Sequence, residues 1–340
     1  MKFDISLLVH DLSQMPAVAR FADEIGVDGI WTFETAHEPF LPLVLAAEHS
    51  RHPSLGTSIA VAFPRSPTIV AQIAWDLARY SNGRFLLGLG TQVKGHNERR
   101  FGVQWERPVE KMRDYILALR AIWDCWQNGT RLNYEGEFYK LSLMTPFFSP
   151  APHPYHHVPI FIAGVNRRMC ELAGELCEGF HAHPLHTQRY LQERILPHIA
   201  TGLRKGGRQR SDIEVASSIF AVPTDHAAQA VQFEAEVRRQ IAFYASTLAY
   251  RPVFELEGWG GVADELRALA ARGRWDEMPR LIDEEMLDRF ALRGNWAELP
   301  AKITAKYGGL LDRVSFYFPL VPGENEAGWR AVVDGFKEGS

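Results

Sequence analysis

Four short stretches of the chain gather side chains whose types and spacing suit chemistry. In Glu34-Thr35-Ala36-His37-Glu38 a carboxylate and an imidazole stand close together, a pairing able to give and take a proton near neutral pH. Thr91, Gln92, Lys94 and His96 place hydrogen-bonding groups, an ammonium and a second imidazole within one loop. In Gly164-Val165-Asn166-Arg167-Arg168 a turn opens a helix, so unpaired backbone amides and the helix dipole coincide with two guanidinium groups. That arrangement suits a phosphate; it equally suits a tight turn with two solvated arginines. The fourth stretch holds His181, His183 and His186, the first two on one side of a strand, as zinc ligands would be. For Glu34, His37 and His96 the plain alternative is structural hydrogen bonding or simple exposure.

These residues have to be held by something, and the sequence repeats one unit that can hold them. Short apolar or β-branched runs alternate with stretches of helical periodicity. The strands are expected at Phe3 to Val9, Gly29 to Glu34, Gly56 to Phe63, Phe85 to Thr91, Pro159 to Gly164, Gly179 to His183, Ile213 to Val222 and Arg313 to Leu320. Helices are expected at Met15 to Ile25, Pro42 to Glu48, Pro67 to Arg79, Pro108 to Trp126, Arg167 to Leu176 and Thr187 to Lys205. Eight such units favour a closed α/β (β/α)8 TIM barrel, one domain over residues 1–340. A barrel of this kind needs about 250 residues, which leaves roughly 90 for excursions. These fall after strand four, at 128–158 with a hairpin around Gly136, and between strands seven and eight, at 226–295. The second is aromatic and helical, and fits a lid over the barrel mouth as well as it fits packing on the side.

In this architecture chemistry belongs to the loops after the strands, and all four stretches fall there. Metal-dependent barrels pair histidines such as 181 and 183 with an H-x-H at the end of strand one. Here that position offers only His10, so no metal is expected. Gly88-Leu89-Gly90 lies inside a strand and lacks the third glycine of a dinucleotide fingerprint; its small residues are expected to let a flat ring approach the backbone.

Composition narrows the partners. With 37 basic and 41 acidic residues and a net charge of −4, nothing marks a nucleic-acid or anionic-membrane surface. No apolar run approaches a membrane span, and Asp4 interrupts any secretory core. The near-balanced charge suits a small-molecule substrate, and Cys125, Cys170 and Cys177, which form no C-x-x-C pair, suit a reducing cytoplasm.

The segments GVDGIWTFETAHEPF, LGTSIAVAF, SNGRFLLGLGTQVKGHNERRFG, LRAIWDCWQNGTRLNYEGEFYKL and PIFIAGVNRRMCELAGELCEGF, with IDEEMLDRFALRG and the terminal DRVSFYF, span nearly the whole chain. In this order they resemble the luciferase-like monooxygenase superfamily, and within it the oxidoreductases that use the deazaflavin coenzyme F420. The resemblance implies hydride transfer to or from a small organic substrate, with FMN-dependent monooxygenation as the alternative, and a homodimer. It implies a non-prolyl cis peptide at Ser58-Ile59 whose bulge supports the ring, and Glu34 at the ring's polar edge. It further implies that Thr91, Gln92, Lys94 and His96 lie along the cofactor's side chain, with Ala163, Gly164, Val165, Asn166 and Arg167 around its phosphate. Glu34, His37 and His96 become the candidate proton donors or acceptors. Thr35, where some relatives have histidine, and Val93, where sugar-phosphate dehydrogenases have glutamate, argue against sugar-phosphate oxidation.

Overall fold

In the computed structural model, which describes residues 1–7 and 9–339, eight parallel strands close into a ring. They are β1 (Lys2–Leu7), β2 (Gly29–Thr32), β3 (Ser54–Thr57), β4 (Phe85–Gly90), β5 (Ile160–Gly164), β6 (Gly179–Ala182), β7 (Glu214–Pro223) and β8 (Arg313–Phe316). Each pairs with the next, and β8 returns to β1 in the register Lys2 to Arg313, which shuts the barrel. Strand one was expected to reach Val9; it ends at Leu7, and Leu8 lies outside the described residues.

The helices follow from apolar spacing. Met15–Ile25 buries Met15, Val18, Ala19, Ala22 and Ile25 on one face and stops at Gly26, whose φ of 79° is the left-handed conformation that ends a helix. Several elements escaped the sequence reading, among them the helices Leu299–Tyr307 and Glu326–Glu338. Lys94–Arg99 is a short helix, tied down by the Asn97 amide donating to the Thr91 and Val93 carbonyls. Ala291–Gly294 is a further parallel strand, which among the described residues pairs with the outer half of β7, from Phe220 to Pro223.

Inside the barrel, Arg313 donates to both oxygens of Asp4 at 2.8 Å, and the Trp31 indole N–H donates to the same carboxylate at 2.7 Å. Both charged side chains are almost wholly shielded from solvent. Buried charges persist only when paired and hydrogen-bonded, and here each is both.

Both excursions lie where they were expected. After β4 and the long helix Pro108–Asn128, Tyr134–Glu135 pairs antiparallel with Lys140–Leu141. Asp114 on that helix accepts hydrogen bonds from the Tyr134 hydroxyl and the Phe138 and Tyr139 amides. A Cβ on Gly136 would lie 1.8 Å from its carboxylate, so the hairpin needs glycine there. The second excursion is built of helices, chiefly Ala227–Ala245, Arg251–Leu256 and Gly260–Ala271. Among the described residues no helix is long and apolar enough to cross a membrane.

Candidate active site

A cavity of about 950 Å³ opens at the C-terminal ends of the barrel strands. Its floor is the barrel interior. There Ser315 hydrogen-bonds Ser6 at 2.8 Å and Ser218 at 2.9 Å, beside the Asp4–Arg313 pair. This polar floor was missed in the sequence. The available signal was a polar residue repeatedly facing inward along otherwise apolar strands, as Asp4 and Ser6 do in β1.

Most of the expected cofactor residues border the cavity. Ser58, Ile59, Thr91, Gln92 and Lys94 line one part, and Ala163, Gly164, Val165, Asn166 and Arg167 another. The Ser58-Ile59 peptide is cis, and beyond it the chain resumes as Ala60–Val61, paired with the end of β4. At the turn after β5, Asn166 caps the helix Arg167–Leu176 through its carbonyl, which accepts from Met169 and Cys170. The Arg167 and Arg168 amides thus precede the first helical hydrogen bond, while their side chains pair with Glu171 and Glu110.

The three proton-transfer candidates lie elsewhere. One Glu34 oxygen accepts from the Val61 amide at 2.8 Å and from Arg65 at 2.7 Å, so the side chain clamps the segment behind the bulge. His37 is exposed, with its ring edge toward His10, and His96 is exposed on the short helix. None of the three borders the cavity. The glycines of β4 also differ from expectation. A Cβ on Gly88 would lie 1.6 Å from the Thr57 carbonyl oxygen, and one on Gly90 would lie 2.5 Å from the Ile59 side chain. Gly88 thus admits the neighbouring strand, while Gly90 admits the Ile59 side chain and also borders the cavity.

The three histidines at the end of β6 and just past it separate in space. His181 is buried edge-on against Trp31, with Nδ1 3.5 Å from the Ser58 hydroxyl. His183 borders the cavity and stacks on Tyr250. His186 is buried, its Nε2 2.9 Å from the Ser217 hydroxyl. Among the described residues no three His, Cys, Asp or Glu side chains are placed to share a metal.

Burial pulls the pKa of His181 down to about 3, helped by Arg313, and burial beside Lys306 does the same to His186. Between pH 6.5 and 3 the unfolded chain binds protons at these rings that the folded chain refuses. Their contribution to stability is therefore complete above pH 6.5 and is lost as the pH falls. At pH 5 the loss is about 2 kcal/mol for each ring, or about 4 kcal/mol for these two, and His183, lowered in the same way, adds to it. Urea unfolding at pH 7.5 and pH 5 should show it, and His186→Gln should flatten the dependence. Equal stability at the two pH values would mean that the rings are protonated in the fold.

Similarity to known proteins identifies the family and agrees with the barrel fold. The sequence matches the family model described as luciferase-like monooxygenase over residues 1–313. It is 45% identical over 305 residues to an uncharacterized protein of Mycobacterium tuberculosis, covering 90% of each chain. It is 27% identical over 293 residues to an F420-dependent glucose-6-phosphate dehydrogenase of Nakamurella multipartita, covering 82% of this chain and 77% of that one. The fold superposes on the coenzyme F420-dependent tetrahydromethanopterin reductase from Methanopyrus kandleri with a TM-score of 0.78 at 19% identity, covering 98% and 97% of the two chains.

Proposed function

The chain belongs to the luciferase-like monooxygenase family, and from that premise we propose that it is an oxidoreductase moving a hydride between coenzyme F420 and a small organic substrate. The observation that carries this reading is the uneven charge of the cavity. Lys94, Arg167 and Arg168 stand at the ends of β4 and β5, whereas the wall from β6 round to β8 holds Ser217, Ser218 and aromatic side chains. A flat ring with an anionic tail matches that division.

The donor set fits such a group. The open amides of Arg167 and Arg168 and the dipole of their helix favour a phosphate. Thr91 and Gln92 supply hydrogen-bonding groups between that turn and the bulge. Ser58 and Ile59 form a wall against which a ring would rest, held from behind by Glu34 and Arg65. When bound, the deazaflavin supplies the hydride chemistry; the protein supplies orientation and a largely desolvated pocket. Glu34 then serves by fixing the bulge, and the sequence kinship with an F420-dependent dehydrogenase supports the choice of coenzyme.

Titration of the protein with coenzyme F420 and with FMN, followed by tryptophan fluorescence, tests the reading. Micromolar binding of the deazaflavin and weaker binding of FMN are expected. Arg167→Ala should weaken the deazaflavin roughly five- to tenfold, the scale of one charge-assisted hydrogen bond partly screened by solvent. Preference for FMN would move the protein to the monooxygenases, and binding of neither would remove the assignment.

A further inference from the structure

The wall that runs from β6 to β8 entered the cofactor reading only as the uncharged side of the cavity, and its individual side chains have no role there. His183 and Pro184 follow β6, Tyr244, Ala249 and Tyr250 come from the second excursion, and Tyr317 lies just past β8. His183 is held in one orientation. Its Nδ1 accepts from the Leu185 amide at 3.1 Å. Its face lies on Tyr250, with centroids 4.2 Å apart, and the Tyr244 ring stands at right angles to it at 4.4 Å. With Nδ1 acting as an acceptor, the proton of the neutral ring sits on Nε2. That N–H has no protein partner among the described residues. Burial, with His186 adding to it, pulls the pKa of His183 down to about 3, so the ring stays neutral at physiological pH.

The rest of the wall is equally uncharged. The Tyr244 hydroxyl hydrogen-bonds that of Tyr317, which donates in turn to the Gln240 side-chain oxygen at 3.5 Å. The charged residues of the cavity stand elsewhere, as the cations Lys94, Arg167 and Arg168 at the ends of β4 and β5 and as the closed Asp4–Arg313 pair on the floor. The three cations stand away from this wall and pair with Glu98, Glu171 and Glu110, so nothing on the wall offsets the desolvation of a phosphate or a carboxylate. A single neutral donor set among aromatic faces matches a neutral oxygen on an apolar body.

We propose that this wall is the substrate seat, that it takes an uncharged carbonyl or hydroxyl compound with an apolar body, and that His183 Nε2–H receives and orients its oxygen. The proposal rests on the hydride-transfer reading for its place in a reaction. The wall's preference can be measured apart from it.

Calorimetric titration of the full chain, with and without coenzyme F420, would use three probes: cyclohexanone, its isostere methylenecyclohexane, and glucose 6-phosphate. Cyclohexanone should bind more tightly than the other two. His183→Phe keeps the stacked ring and should weaken cyclohexanone roughly five- to tenfold, leaving methylenecyclohexane and coenzyme F420 within twofold of the parent. His183→Gln, which returns an N–H near Nε2, should recover most of the loss. The ketone-to-isostere ratio of the parent protein is read without any variant. The proposal is overturned if cyclohexanone shows no saturable binding, if glucose 6-phosphate binds more tightly, or if His183→Phe weakens ketone and isostere alike. Failure of the coenzyme to bind would instead undo the functional reading, and the probes would still report on the wall.

Discussion

Gly88→Ala is expected to leave little folded protein. The new Cβ would lie 1.6 Å from the Thr57 carbonyl oxygen and 2.8 Å from its carbon, both backbone atoms of β3. No side-chain rotation relieves that contact. β3 has little freedom to retreat, because the Thr57 hydroxyl bridges the Gly88 carbonyl at 2.6 Å and the Gly88 amide at 3.0 Å, and the Ser58 amide is bound to Thr32 at 2.7 Å. The substitution must prise β3 from β4 and carry the Ser58-Ile59 bulge with it. A destabilisation above about 3 kcal/mol is expected, at the upper end for overpacking because the clash is with backbone. Any protein that still folds should bind coenzyme F420 at least tenfold more weakly, since the bulge is a wall of the proposed site. Gly90→Ala is the comparison: its obstacle is the Ile59 side chain, which can rotate, so a smaller loss is expected. Denaturant unfolding and coenzyme titration of the two variants decide the matter, and equal stability would contradict the packing described.

Arg313→Leu should be nearly as damaging for a different reason. The guanidinium neutralises Asp4 deep in the barrel and reaches Glu214 at 3.2 Å. Leucine fills much of the space but strands a carboxylate with only the Trp31 N–H as a partner. Breaking one side of a buried pair typically costs about 3–5 kcal/mol, most of it the desolvation of the remaining charge. Combining Arg313→Leu with Asp4→Asn removes that charge and should recover part of the loss. If the double variant is no more stable than Arg313→Leu, the penalty arises from packing rather than charge.

Why some of this was legible in the sequence and some was not follows from how far each feature reaches along the chain. The barrel strands are local patterns, and each apolar run between Phe3 and Phe316 announces itself without reference to the others. The turn from Gly164 to Arg168 is also local, a strand end, a short turn and a helix start in consecutive residues. The bulge at Ser58-Ile59 came only through family resemblance, because nothing in those two residue types dictates it. Glu34 shows the limit. Its position at a strand end is a local fact, but its commitment to Arg65 and the Val61 amide depends on a fold across about thirty residues. The serine cluster reaches further, since Ser6, Ser218 and Ser315 meet only when the barrel closes. Likewise the aromatic excursion was visible as composition, while the placing of Tyr244 and Tyr250 against His183 was not. Those two tyrosines show that the excursion helps wall the cavity, although much of its bulk, including Val253, Phe254 and Leu266, is buried in apolar packing continuous with the barrel core.

The excursion between β7 and β8 also bears on how such a protein could change over generations. Tyr244, Ala249 and Tyr250 sit on an inserted segment that neither closes the barrel nor contributes to the turn after β5. Changes at positions with no shared partners combine nearly additively, so the outward-facing residues of that segment can drift at small cost to the frame, whereas Tyr244 and Tyr250 are tied to His183 and Tyr317 and must change with them. A lineage built this way can meet new surroundings by rewriting one insertion together with the two side chains it rests on, while the ends of β3, β4 and β5 pass on unaltered.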